Sequence, residues 1–152
     1  MGHAMFYHLT RRPLEETLPM LVGKALQAGW RVAVRGTDRA RLEWLDEKLW
    51  LIADDSFLPH GLAGGPHDAD QPVLLTDGPA LPNDPRYLVS IDGAEVTAEE
   101  VRTMERACIL FDGSDEAALA RARAQWRAMK DAGLRAEYWS EESGRWEKKR
   151  TT

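Results

Sequence analysis

Residues 4–50 read AMFYHLTRRPLEETLPMLVGKALQAGWRVAVRGTDRARLEWLDEKLW. The order of patterns within this stretch decides the fold. Residues 4–9 (AMFYHL) are an apolar run of strand length. Residues 14–28 read as a helix, with Pro13 suited to its first turn and Gly29 marking its end. Pro19 and Gly23 weaken the interior of that helix, so an irregular first turn or a late start is expected. Residues 31–35 (RVAVR) are a second strand. Thr37 is a good N-cap, Asp38 suits the first turn, and the next helix reaches about Trp50 with Leu42, Leu45 and Leu49 on one face. Strand, helix, strand, helix in that order predicts a layered α/β fold with parallel strands.

Downstream the texture changes. Residues 54–84 are rich in Pro, Gly and Asp and hold two short apolar pieces, Phe57-Leu58 and Val73-Leu74-Leu75. The remainder reads as loop, and a loop of that length in a compact domain is usually functional or mobile. Residues 86–91 (RYLVSI) resume the strand pattern, and Asp92-Gly93 signals a turn. Thr97 caps a short helix over residues 98–106. Residues 108–111 are near-continuously apolar, as in the centre of a parallel sheet. Ser114 is the expected cap of a long helix that Gly133 stops, and residues 134–139 (LRAEYW) are a final strand. Residues 1–140 therefore form one expected α/β domain, and residues 141–152 a polar, fraying tail.

The totals bound the function. A chain of 152 residues has the volume for one domain with a real core. Its formal net charge of −5 opposes general binding of nucleic acid, because phosphate neutralisation dominates that affinity, so any contact with DNA should be indirect. Cys108 is the only cysteine, which excludes an intrachain disulfide and fits a reducing compartment such as the cytoplasm. No apolar run is long enough to span a membrane, and no secretory signal precedes the first strand.

Against that acidic background the helix at residues 115–132 (DEAALARARAQWRAMKDA) stands out. At ~100° per residue, Leu119, Ala122 and Met129 gather on one side as the expected core face. Arg123, Arg127 and Lys130 gather on an adjacent side, and Trp126 falls between the two. Two readings stand. A solvated basic face with an aromatic spacer is common on helices. A cationic stripe beside a half-buried Trp also suits a short ligand with carboxylates and a bulky apolar side chain.

The motifs of catalysis are missing. There is no GxxxxGK[ST], and no GxGxxG after the first strand. His60, His67, Asp68 and Asp70 surround a Gly-rich turn, but their spacing matches no standard metal motif, and a structural loop competes with a metal site there. Ser56, Ser90, Ser114 and Cys108 are the candidate nucleophiles, and none sits in a GxSxG elbow. The carboxylate pairs Asp54-Asp55 and Glu99-Glu100 are sequence neighbours whose side chains diverge. Trp50, Phe57, Leu58 and Pro59 leave two open readings, closure of the sheet edge or a docking ledge for a second protein.

Taken in order, FYHL, GWRVAV, RLEWLDEKLWLIADDSFLPHGLAGG and ARAQWRAMKDAG resemble the chi subunit of bacterial DNA polymerase III over essentially the whole chain. LDEKLW with SFLPHGLAG is the most specific piece, and the middle segment, residues 72–100, is the least matched. The resemblance implies a three-layer Rossmann-like fold with helices on both faces, no cofactor and no catalysis. It implies two partners, the psi subunit of the clamp-loader assembly and the acidic, Phe-ended C-terminal tail of single-stranded DNA-binding protein. By position, Arg123, Trp126, Arg127, Lys130 and Leu134 are expected to hold the tail, and Trp50, Phe57, Leu58 and Pro59 to meet psi. The runner-up is a module of the same fold that recruits a helicase or repair factor through Trp50 and Phe57. A metal- or nucleotide-dependent α/β enzyme remains a third class, because the fold is permissive.

Overall fold

The computed structural model describes residues 2–9, 14–52, 60–140 and 147–151, without the side chains of Glu15, Trp50, Leu51, Ile52 and Glu147. The chain runs β1 (His3–Leu9), α1 (Leu14–Gln27), β2 (Val32–Arg35), α2 (Arg39–Ile52), β3 (Gly61–Leu62), β4 (Val73–Thr76) and β5 (Tyr87–Ser90). It continues through α3 (Ala98–Thr103), β6 (Arg106–Asp112), α4 (Glu116–Asp131), β7 (Arg135–Ser140) and β8 (Glu147–Thr151). The strands form one sheet in the order β3-β4-β2-β5-β6-β1-β7-β8. Every pairing is parallel except β7 with β8. The architecture is the expected α/β one, a mainly parallel sheet in a three-layer Rossmann-like arrangement.

Strand alternation splits the core in two. Met5, Tyr7, Val32, Val34, Val89, Cys108 and Leu110 face α1 and α2, together with Leu18, Val22, Leu42, Leu45 and Leu49. Ala4, Phe6, Ala33, Leu88, Ile109, Phe111 and Ala136 face α3 and α4, together with Val101, Ala122 and Met129. Successive residues of a strand point to opposite faces, so burial on both sides leaves no polar alternation in the central strands. This explains the continuous run at residues 108–111 and the wholly buried VLLT of β4.

Several local expectations are corrected. α1 passes through Pro19 as a continuous helix, because Leu18, Leu21, Val22 and Ala25 are all buried against the sheet and packing outweighs propensity. Thr37 does not cap α2; its hydroxyl donates to the Asp92 carbonyl, and Asp38 Oδ1 accepts from the Ala40 amide at 3.1 Å. Ser114 does not cap α4; its hydroxyl donates to Asp112, while Asp115 Oδ1 accepts from the Ala117 and Ala118 amides. α3 stops at Thr103, so that β6 can start at Arg106. Thr97 does cap α3, in a reciprocal capping box with Glu100. Asp92 and Gly93 turn the chain with φ of 54° and 83°, the left-handed conformation that Asp and Gly tolerate.

Two segments read as loop or tail are strands. Gly61–Leu62 is β3, paired with β4, the strand that the apolar piece Val73-Leu74-Leu75 forms beside β2. Glu147–Thr151, expected to fray, is β8 on the sheet edge. Its described side chains are exposed, so no apolar alternation marks it, and its lysines suit an edge strand that must not recruit another chain.

Arg35 ties the second layer together. It is buried and makes a bidentate pair with Glu100, at 2.9 and 2.7 Å, while also donating to the Glu95 and Pro79 carbonyls. The Arg35 guanidinium holds the Glu100 carboxyl below the usual carboxylate range.

Candidate functional site

α4 crosses from β6 over β1 to β7, and the sheet continues past it to β8. Between the flank of the helix and that projecting edge lies a hollow of about 390 Å³. α4 supplies Leu119, Ala122, Arg123, Trp126 and Arg127 as one wall; the sheet supplies Phe6, Phe111, Tyr138 and Arg150. These positions follow from period. Phe6, Phe111 and Tyr138 lie on the α4 face of three strands, β6, β1 and β7, that neighbour one another in the sheet.

The floor is aromatic and its rings brace one another. Trp126 meets Phe6 edge to face, with centroids 5.3 Å apart and planes at 68°. It meets Tyr138 at 6.4 Å and 78°. Phe111 lies 6.0 Å from Tyr138, and His8 lies beside both rings. His8 Nδ1 is hydrogen-bonded to the Tyr138 hydroxyl, which fixes the phenol at the rim. A Cβ at Gly113 would collide with the His8 imidazole, so glycine there lets the ring sit where it does. Edge-to-face pairs fix ring orientation, so an apolar side chain entering the hollow meets a preformed surface.

Arg123, Arg127 and Arg150 are exposed at the mouth. Among the described residues no carboxylate is ion-paired with any of the three. Arg123 and Arg127 are four residues apart on one helix face, where like charges repel by about 0.2–0.5 kcal/mol. An anion between them relieves that cost. The arrangement is thus an apolar floor ringed by cations, which fits a ligand with an apolar end and carboxylates beside it.

The structure brings Arg123, Trp126 and Arg127 together and separates Lys130 and Leu134 from them. Lys130 and Leu134 line a second hollow, with Gly133, Arg135 and Thr151. Leu134 is itself buried in the core on the α4 face. Phe6, Phe111, Tyr138 and Arg150 were not anticipated as lining. Trp50 lies in α2 with its side chain outside the described residues, and Phe57, Leu58 and Pro59 lie outside them altogether.

Other candidates have structural employment. His60 is buried, with Nε2 3.1 Å from both the carbonyl oxygen and Oδ1 of Asp46. Asp68 accepts from the Gly64 and Gly65 amides at 2.8 and 3.0 Å and closes the turn. Among the described residues no three His, Cys, Asp or Glu side chains gather as a metal would need. Cys108 is fully buried beside the Tyr87 hydroxyl, and burial pushes its thiol up to about 12. A thiol so protonated is a poor nucleophile at neutral pH. The Ser90 hydroxyl donates to the Ala94 carbonyl. Among the described residues no helix is long and apolar enough to cross a membrane.

The molecule is thus a Rossmann-like α/β sheet with a cationic, aromatic-floored hollow between a helix flank and the sheet edge. Residues 1–137 match the family model "DNA polymerase III chi subunit, HolC", and the chain belongs to that family. A relative, the probable DNA polymerase III subunit chi of Rickettsia prowazekii (strain Madrid E), is 26% identical over 117 residues, which cover 74% of this chain and 71% of the relative. The family is one of replicative polymerase subunits, so the chain has an accessory role in DNA replication.

Proposed function

We propose that this chain is a non-catalytic adaptor of the replisome in the cytoplasm. It links the acidic C-terminal tail of single-stranded DNA-binding protein to the DNA polymerase III clamp loader through the psi subunit. The observation that carries the tail half of this reading is the hollow at α4, where the guanidinium groups of Arg123 and Arg127, without an ion pair among the described residues, share one helix face beside Trp126. A terminal aromatic side chain fits the floor made by Phe6, Phe111, Trp126 and Tyr138, and carboxylates fit the cationic mouth. Lys130 and Leu134 extend the surface one turn further along, where an upstream part of the tail would run. DNA is reached only through the bound protein, in keeping with the net charge of −5.

The psi half of the reading rests on family membership and on the apolar sequence at Trp50, Phe57, Leu58 and Pro59. Calorimetry with a short acidic peptide ending in Pro-Phe tests the adaptor directly. Saturable binding that weakens with salt supports it, and no heat at high micromolar concentrations refutes it.

A further inference from the structure

The sheet edge that closes the hollow is irregular. Ser140 pairs with Glu147 and Trp139 with Lys148, but Tyr138 pairs with Arg150 rather than with the next residue in step. The extra residue is Lys149, which makes this a β-bulge. A regular ladder would have set Lys149 opposite Tyr138 and Arg150 opposite Glu137. The bulge moves Arg150 across from Tyr138, a residue of the α4 face, and Arg150 lines the hollow with it. Lys148, opposite Trp139, belongs to the α1–α2 face. β8 also lies beyond the residues that the family model matches.

We propose that Arg150 is a third carboxylate-binding residue of this site, delivered by the β8 bulge to the wall opposite Arg123 and Arg127. The inference rests on the reading of the hollow as a site for an acidic peptide with an apolar C-terminal side chain. Two cations on the helix wall serve one part of such a ligand. A planar guanidinium on the sheet wall, across the aromatic floor from α4, takes a different carboxylate. Recognition from both walls requires at least two acidic groups near the ligand's apolar end. It therefore selects a clustered acidic terminus over a single terminal carboxylate.

The test is calorimetric titration of the full chain with a short acidic peptide ending in Pro-Phe, using Arg150→Ala, Arg150→Lys, Lys148→Ala, Arg123→Ala and the Arg123→Ala/Arg150→Ala double variant. Arg150→Ala is expected to weaken binding about five- to tenfold, the worth of one partly exposed charge-assisted contact. Lys148→Ala removes the same charge from the same strand on the other face, and should change affinity less than about twofold. Arg150→Lys keeps the charge and stem but loses the planar fork, and should fall between wild type and Arg150→Ala. The losses from Arg123→Ala and Arg150→Ala should multiply in the double variant, as independent contacts do. If wild type binds and Arg123→Ala weakens it, but Arg150→Ala matches Lys148→Ala, the Arg150 assignment is overturned and the hollow stands. A double variant no weaker than Arg123→Ala would overturn the separate-carboxylate assignment. If wild type itself does not bind, the peptide reading of the hollow falls and Arg150's role falls with it.

Discussion

Arg123 and Trp126 share one wall of the hollow, yet their truncation should separate affinity from stability. Arg123 is exposed and makes no ion pair among the described residues, so Arg123→Ala removes no folded-state contact of consequence. Its effect on folding should stay within about 0.5 kcal/mol, as for ordinary surface substitutions. Its effect on an acidic peptide should be ~1.5–3 kcal/mol, the value of a hydrogen bond to a charged group, or roughly 10- to 150-fold in Kd. Trp126 behaves differently. Its ring is half-buried and meets Phe6 and Tyr138 edge to face. Each such pair contributes about 0.5–1.5 kcal/mol beyond burial, so Trp126→Ala should cost at least ~1–3 kcal/mol of stability as well as affinity. Urea unfolding and peptide calorimetry on the same two variants read both quantities. A folded Arg123→Ala with wild-type affinity refutes the binding role. A Trp126→Ala variant as stable as wild type refutes the braced aromatic floor.

Other expectations are quickly checked. Removing the Glu100 carboxylate by Glu100→Ala leaves the buried Arg35 guanidinium without its charge partner and should cost ~3–5 kcal/mol, read by thermal melting; Arg35→Met with Glu100→Gln should recover much of it. Because Arg35 depresses the Glu100 value, the pair's stabilisation is present above the unfolded value near 4.5 and is lost as pH falls through the lower folded value. In Glu100→Gln that acid-limb slope should flatten, and an unchanged profile would count against the pair. Bare single-stranded oligonucleotide should bind weakly or not at all at physiological salt, and sub-micromolar binding by gel shift without a partner would contradict the adaptor reading. Phe57→Ala should abolish capture of a psi-type partner, at ~2 kcal/mol or more, while tail-peptide affinity holds. A melting loss of ~3–5 kcal/mol would instead make Phe57 a core residue.

The sequence carried the α4 wall well and the sheet wall poorly. A helix places Arg123, Trp126 and Arg127 within little more than a turn, so local periodicity is enough to group them. It does not resolve position along the axis for Lys130. At ~100° per residue Lys130 shares the azimuth of Arg123, but at ~1.5 Å per residue it lies about 10 Å further along the axis, and it lines the neighbouring hollow. The sheet wall depends on strand order. Alternation in AMFYHL, RACILFD and RAEYWS does put Phe6, Phe111 and Tyr138 on consistent faces, and that signal was available. What no pattern supplied was the adjacency of β6, β1 and β7, which a crossing helix creates. Arg150 is harder still. EKKRT is polar throughout, so no apolar alternation phases it, and a bulge is set by the ladder rather than by any one residue.

The charge distribution explains why such a pocket can coexist with an acidic protein. A net charge of −5 repels an acidic tail at long range, but at physiological salt that repulsion fades over ~8 Å, while contacts inside the hollow act at hydrogen-bond distance. On the proposed reading a tail would gain little from electrostatic steering and rely on the close contacts, which act mainly by slowing departure. Excess positive charge over the whole surface would attract the same tail faster. It would also attract the DNA backbone to which the tail's owner is bound. Cations placed at the rim of an aromatic hollow would, on the proposed reading, favour the tail over the DNA strand. A tail with an apolar end would fill the floor as its carboxylates reach Arg123, Arg127 and Arg150, whereas a nucleic-acid strand would meet cations on a body of net negative charge.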